Sequence, residues 1–419
     1  MSPTPAPRPS AADGAAPPPR PVRVLFVVPN LLFGGAERHV ATLLPAMDRD
    51  RFEPSVVCLN EGGHLFGELV EHDVPALDLR RAKREVPATL VDLVRHMRRT
   101  RPDVVICRGF TAEALGRLAG VLARVPARVV WMHNCGDIRP RSRVHRLVER
   151  LLRPVTTAVY GVAHTQVPYL VDDLGYDAGR VRIIHNGVVL GEVEPAGGED
   201  GTDEEARDEA RAEFGIAPDE PLIGSVAMLR EEKGHETLLQ AFRLLLADEP
   251  RARLLLVGDG PLRDVLHTRA AALGVAERVV FAGNRSDVPR LLRAMDVFTL
   301  CSRTECFPMS VLEAMAASRP VVCTAVGGIP EIVVDGETGT LVPPGEPRAL
   351  ADAFLDLLRD PTRGAQLGKA GRSRVEQEFT LDRSVRTAED VIAATAGRRP
   401  APERARPDGA AALAPHHGR

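Results

Sequence analysis

Short, uninterrupted apolar runs alternate with segments of helical period along nearly the whole chain, and this alternation restricts the possible folds more than any other feature. VRVLFVV (22–28), PSVVCL (54–59), PALDL (75–79), PDVVICR (102–108), ARVVWM (127–132) and TTAVYG (156–161) read as strands. Between them lie helical patterns such as Val40, Leu43, Leu44, Met47 and Leu90, Leu93, Val94, Met97. A strand that is apolar on both faces has no wet side, so these runs predict parallel sheets covered by helices on both faces. The pattern breaks at an acidic, glycine-bearing run (191–213) and then resumes in PLIGSVAM, ARLLLVG, RVVFAG, DVFTLC and RPVVCT. The expected fold class is α/β, with two doubly wound, Rossmann-like domains over 22–190 and 214–375, joined by a linker at 191–213. A helical segment follows in 376–396. The Pro/Ala-rich leader (1–21) and the low-complexity tail (397–419) are expected to be disordered. Two such domains set their strand C-termini across a crevice, where open α/β sheets bind ligands.

At 419 residues the chain has room for two cores of ordinary size, and 44% apolar with 26% charged residues is a globular composition. The net charge of −3 speaks against a nucleic-acid partner. It is unevenly placed, with 24 Lys/Arg against 18 Asp/Glu over 22–190 and an acidic remainder. The six cysteines (Cys58, Cys107, Cys135, Cys301, Cys306, Cys323) form no C-x-x-C pair and read as buried free thiols, as suits a reducing cytoplasm. The leader has no apolar core of signal-peptide type, and no apolar run reaches the ~20 residues of a membrane span. Membrane contact would be peripheral. Arg139, Arg141, Arg143, Arg146, Arg150 and Arg153 surround Leu147, Val148, Leu151 and Leu152. Two readings stand for this stretch: an amphipathic helix lying on an anionic membrane, or a domain helix with its apolar face in the core.

Several strand tips carry residues suited to ligands. The first strand runs into Gly34-Gly35-Ala36-Glu37 and a helix, a turn that lets backbone approach an anion at the helix N-terminus. The fifth runs into His133, which faces the crevice and can hydrogen-bond a hydroxyl or phosphate. In the second half, Gly224 to His235 joins a strand to a helix and carries Arg230 and Lys233, with Lys233 placed to meet phosphate charge. Gly258-Asp259-Gly260-Pro261 is a turn, and Phe281 to Val288 ends a strand in Asn284-Arg285. Ser302 to Pro308 is a loop, and Pro308 opens a helix whose first N–H groups, at Met309, Ser310 and Val311, are available to phosphate. Glu305 lies in that loop and Glu313 on that helix, eight residues apart. As a hydrolytic acid/base pair they would need a separation of about 5–9.5 Å aimed at one bond, whereas eight helical residues span about 12 Å. Separate roles follow. Asp48-Arg49-Asp50 follows a helix rather than ending a strand, so it is not expected to bind metal, and no group of ligating residues has metal-site spacing.

These motifs, with Gly327-Gly328 following, resemble the E-x7-E signature of retaining nucleotide-sugar glycosyltransferases, family 4 of the GT-B fold. The resemblance covers most of 22–375 and is most specific over 300–345. It implies an acceptor-side N-terminal domain and a second domain that binds the nucleotide sugar, with the last helix returning to brace the first domain. It implies that Gly34, Gly35, Arg230, Lys233, Asn284, Arg285, Met309, Ser310, Val311 and Glu313 serve the donor. Glu313 would accept from the ribose hydroxyls, and the backbone near Asn284 would pair with the base. Glu305, His133 and Lys233 would then act at the transferred sugar and its leaving diphosphate. The family chemistry is metal-independent and needs no cofactor beyond a UDP- or GDP-linked donor. Attack is on the same face, with the departing phosphate helping to deprotonate a carbohydrate or lipid-linked acceptor. Cell-envelope polysaccharide or glycolipid assembly at the inner face of the membrane is the setting implied. The chain departs from the pattern at Met228, where an arginine is usual and for which Arg230 is the nearby substitute. It departs also at Cys306 and Ser318, each in place of a glycine. A sugar-nucleotide epimerase on a similar scaffold, or a catalytically weak binding protein, are the alternative readings.

Overall fold

The computed structural model describes residues 20–32, 34–82, 84–134, 143–192 and 202–397. Seven parallel strands form the first sheet: β1 (Val22–Val28), β2 (Phe52–Cys58), β3 (Ala76–Asp78), β4 (Val104–Cys107), β5 (Ala127–Trp131), β6 (Ala158–Gly161) and β7 (Val181–Ile183), in the order β3-β2-β1-β4-β5-β6-β7. Six more form the second: β8 (Leu222–Val226), β9 (Arg253–Val257), β10 (Val279–Gly283), β11 (Val297–Leu300), β12 (Val321–Thr324) and β13 (Thr340–Val342), in the order β10-β9-β8-β11-β12-β13. The helices of the first half are α1 (Gly35–Ala46), α2 (His64–Glu71), α3 (Val86–Thr100), α4 (Phe110–Leu122) and α5 (Arg143–Leu152). Those of the second are α6 (Thr202–Ala212), α7 (His235–Leu245), α8 (Arg263–Ala272), α9 (Val288–Ala294), α10 (Met309–Ala316), α11 (Ile329–Ile332), α12 (Pro347–Arg359), α13 (Pro361–Glu378) and α14 (Leu381–Thr395).

The expected two doubly wound parallel sheets are present. β7 and β13 escape a reading of apolar runs, because each is three residues long and only partly buried. In both sheets the order reverses beside the first strand of the unit, between β1 and β4 and between β8 and β11, and such switch points open crevices at the strand C-termini.

Three expectations need correction. The acidic run 191–213 is not simply a linker, since its second half is α6. Arg211 anchors that helix with a fully buried guanidinium that pairs with Asp296 at 2.9 Å and donates to the carbonyls of Ala294, Pro218 and Glu220. One buried arginine with all three nitrogens bonded to acceptors outweighs an otherwise solvated, charged surface. Arg20, placed in the leader, forms a bidentate pair with Asp103 at 2.7 and 2.8 Å. Among the cysteines, Cys58, Cys107, Cys301 and Cys323 are buried free thiols, but Cys306 is disulfide-bonded. Cys135, Arg139 and Arg141 lie outside the described residues, as do nearly all of the leader and tail.

The C-terminal helix α14 lies against α1. Glu389 accepts from the Asp48 backbone N–H at 2.6 Å and pairs with Arg51 at 3.0 Å, and Tyr160 donates to Thr395 at 2.7 Å. The last described helix thus packs on the half that holds β1.

Candidate active site

At the C-terminal tips of β8 and β11, Lys233 and Glu305 meet, Nζ to Oε1 at 2.5 Å. Ser302 donates to the same Glu305 oxygen at 2.7 Å, and Thr324 on β12 donates to the Ser302 carbonyl at 2.6 Å. The strand ends therefore hold a nearly enclosed carboxylate in one orientation. Gly234 makes the approach possible: its φ of +68° is left-handed, and a Cβ there would collide with the Cys301 carbonyl. Gly327 (φ +51°) and Gly328 lie directly over the carbonyls of Glu305 and Cys306, where no side chain fits.

α10 starts beside this carboxylate. Pro308 provides no side-chain cap, so the first turn (Met309, Ser310, Val311) presents its N-terminus to the crevice. Glu313, one turn further, is half-buried. Gly35, at the start of α1 in the other half, faces this helix, and a Cβ on it would sit 3.6 Å from the Met309 side chain. Two helix N-termini, one from each sheet, thus approach one another beside the Lys233–Glu305 pair.

His133 is on the opposite wall, at the tip of β5. It packs against Trp131 and His39, with ring centroids 5.9 and 5.4 Å away, and its Nε2 is buried without a hydrogen-bond partner among the described residues. Burial, reinforced by nearby Arg108 and His39, holds its pKa well below the ordinary imidazole value, and burial takes His39 down to about 3. Both rings are neutral at pH 7. Residues 135–142, which follow, lie outside the described ones.

The other predicted donor residues are less closely gathered. Arg230 is exposed, its nearest carboxylate being Glu232 at 3.9 Å, and Met228 is half-buried. Asn284 is exposed at the end of edge strand β10. Arg285 is held by Asp287 through two hydrogen bonds of 2.8 Å and by Glu213 at 2.8 Å, which leaves the backbone there as the group offered to a ligand. On α5 the apolar face is turned outward: Val144, Leu147 and Leu151 are 66%, 57% and 66% exposed. Its inward face holds Glu149, paired with the buried Arg117 at 2.8 Å. This overturns the picture of a helix with its leucines in the core.

Motif reading missed Ser302, Arg108 and the contacts that join the two halves. Glu331 on α11 accepts from the backbone N–H groups of His164 (2.9 Å) and Thr165 (2.7 Å) and lies 3.1 Å from His185 Nε2. His164, His185 and Glu331 bring their polar atoms within 4.8 Å of one another although they are far apart in sequence, so no spacing could have signalled them. Asn186 donates to the Phe307 carbonyl at 2.9 Å, and His185 stacks on the Phe307 ring.

Two parallel, doubly wound sheets with a ligand crevice between their strand ends define the GT-B class of glycosyltransferase folds. The structure superposes on Anabaena HepE in complex with UDP and glucose with a TM-score of 0.79 at 22% identity, over 89% of this chain and 100% of that one. The sequence matches the family described as Glycosyltransferase Family 4 over residues 33–192 and that described as Glycosyl transferases group 1 over residues 206–374. The chain belongs to this family of glycosyltransferases. It is 34% identical over 181 residues (43% of this chain) to N-acetyl-alpha-D-glucosaminyl L-malate synthase of Bacillus anthracis, and spans about half of that protein's length, 47%. It is 29% identical over 379 residues to alpha-maltose-1-phosphate synthase of Mycolicibacterium smegmatis, covering 84% of this chain and 93% of that protein.

Proposed function

We propose that this protein transfers a sugar from a nucleotide diphosphate, UDP- or GDP-linked, to a hydroxyl acceptor with retention of anomeric configuration. The observation that carries the reading is the junction of Lys233, Glu305, the Gly327-Gly328 loop and the α10 N-terminus, faced by the glycine turn of α1. An ammonium and a helix N-terminus offer positive charge to a leaving diphosphate, and the neutral imidazole of His133 offers a hydrogen bond to a sugar. In this reading Glu305 orients Lys233 and stabilises charge that develops at the anomeric carbon, while Glu313 receives the ribose. The charge present serves the leaving group without a metal, so chelators should leave turnover unchanged. Relatives named for phosphatidylinositol mannoside and lipopolysaccharide core synthesis favour a carbohydrate or lipid-linked acceptor.

Calorimetric titration with UDP, GDP and ADP, alongside Lys233→Ala and Glu313→Ala, is the test. One nucleotide should bind in the micromolar range and weaken about tenfold or more in both variants. Absence of binding by all three overturns the assignment. Release of free nucleotide diphosphate only when an acceptor is supplied separates transfer from epimerisation.

The exposed apolar face of α5, flanked by Arg146, Arg150 and Arg153, favours peripheral contact with an anionic membrane. Flotation with phosphatidylglycerol vesicles should carry the wild type, and should lose the Leu147→Asp/Leu151→Asp variant. No helix among the described residues is long and apolar enough to cross a membrane.

A further inference from the structure

The first sheet has its own switch point between β1 and β4, and Arg108 stands there, at the tip of β4. Its next residue, Gly109 (φ +82°), begins α4 with no side-chain cap, and a Cβ at Gly109 would come within 2.7 Å of Pro29 at the tip of β1. Arg108 is only 6% exposed, and both terminal guanidinium nitrogens are buried without a hydrogen-bond partner among the described residues. Other large buried cations here are matched: Arg117 to Glu149, and Arg211 to Asp296 and three carbonyls. Burial lowers the Arg108 pKa to about 10, and the charges of Glu37 and Glu113 counter that fall without an ion pair to Arg108 itself, so the group is charged at neutral pH. Arg108 also depresses both His39 and His133, which places its charge toward the wall they form.

A buried, charged, unpaired guanidinium is costly to the free protein and suits a ligand that brings the missing acceptor. The neighbouring α4 N-terminus adds N–H groups of the same sign, and the planar fork matches a planar or tetrahedral oxyanion. We propose that Arg108 and the N-terminus of α4 hold an oxyanion of the acceptor, a phosphate or a carboxylate, on the wall opposite the Lys233–Glu305 pair. This rests on the glycosyl-transfer reading for the word acceptor, but not for the anion site itself. The diphosphate of the donor belongs to the other wall, at Lys233 and α10.

The test uses the full chain saturated with UDP, titrated with inorganic phosphate and separately with malonate, for the wild type, Arg108→Gln and Arg108→Lys. Phosphate or malonate should bind the wild type, about tenfold or more weaker in Arg108→Gln and intermediate in Arg108→Lys, with UDP affinity unchanged within about twofold. The stronger of the two probes identifies the oxyanion. Absence of binding at about 20 mM of either probe, or binding that Arg108→Gln leaves intact, overturns the proposal. A parallel loss of UDP affinity overturns it too, because the guanidinium would then serve the donor. Melting of the ligand-free protein gives an independent readout: Arg108→Met should melt at or above the wild-type temperature, and a fall of several degrees would show that the guanidinium is already satisfied. Failure of UDP, GDP and ADP alike to bind the wild type would sink the glycosyl-transfer reading, and the phosphate arm without nucleotide would still report on Arg108.

Discussion

Glu305 is held from two sides, by the Lys233 ammonium and the Ser302 hydroxyl, so its position is fixed before any ligand arrives. Glu305→Gln keeps the shape and most of the hydrogen bonding but removes the charge. Its transfer rate should fall about a hundredfold or more while nucleotide affinity moves less than about threefold, a split read from steady-state kinetics and calorimetry. Ser302→Ala removes only the second support, and a rate loss of about three- to tenfold is expected, with little change in melting temperature. At this scale the sequence placed Lys233 in a glycine-bearing turn, Glu305 in the loop before Pro308 and Glu313 on the helix after it, and they lie there, but their distance in the chain hid the contact between Lys233 and Glu305. Ser302 was not legible, because a serine beside a turn is common and only the neighbouring strand end shows what its hydroxyl meets. Arg108 occupies a strand tip just as His133 does, and the same signal would have found it.

The packed element that most departs from expectation is α5, whose arginines flank exposed leucines while its one buried polar residue is Glu149. Arg117 on α4 donates to that carboxylate at 2.8 and 2.9 Å and to Thr156 and Tyr176 at 2.9 Å each. Burial lowers the Arg117 pKa, but the bonds and charge of Glu149 raise it further, so it remains charged. Arg117→Met takes the guanidinium away from the buried Glu149 carboxylate, and urea denaturation should show a loss of about 3–5 kcal/mol. The end of α10 gives the opposite prediction. Ser318 adopts φ +56°, and its N–H bonds the Met315 carbonyl at 2.9 Å. A serine pays for that left-handed turn where a glycine would not, so Ser318→Gly should stabilise the protein by about 1 kcal/mol in the same assay. The periodicity in the sequence located α10 and its start at Pro308. It could not decide which face of α5 is buried, because a segregated apolar face would ordinarily go inward and the choice here depends on Arg117, 32 residues away from Glu149.

For the molecule as a whole, the seam between the two sheets is joined by Glu331, the stacked His185 and Phe307, and α14. Burial pushes the Glu331 carboxyl up, but hydrogen bonds from His185 and the backbone N–H groups of Thr165 and His164 outweigh it and hold the pKa at about 2, below its ordinary value of 4.5. A carboxyl depressed in the folded state lends stability that is complete above its unfolded pKa and lost as pH falls through the folded one. Acid titration of unfolding should therefore show a loss of ~2 kcal/mol between about pH 5 and pH 2, after allowance for its partial exposure, that Glu331→Gln abolishes. His164 and His185 face the same carboxylate, and their rings lie 5.4 Å apart. Local patterning settled the α/β class, the two parallel sheets and the glycine turns, because strand burial and backbone freedom depend on neighbours in the chain. Only the tertiary structure decided how α6 is anchored, which side of α5 meets solvent, what Glu331 joins and that the terminal nitrogens of Arg108 meet no hydrogen-bond partner among the described residues. Those outcomes depend on which distant side chains share a buried space, and burial is what makes a charge either a fixed support or an open demand for a ligand.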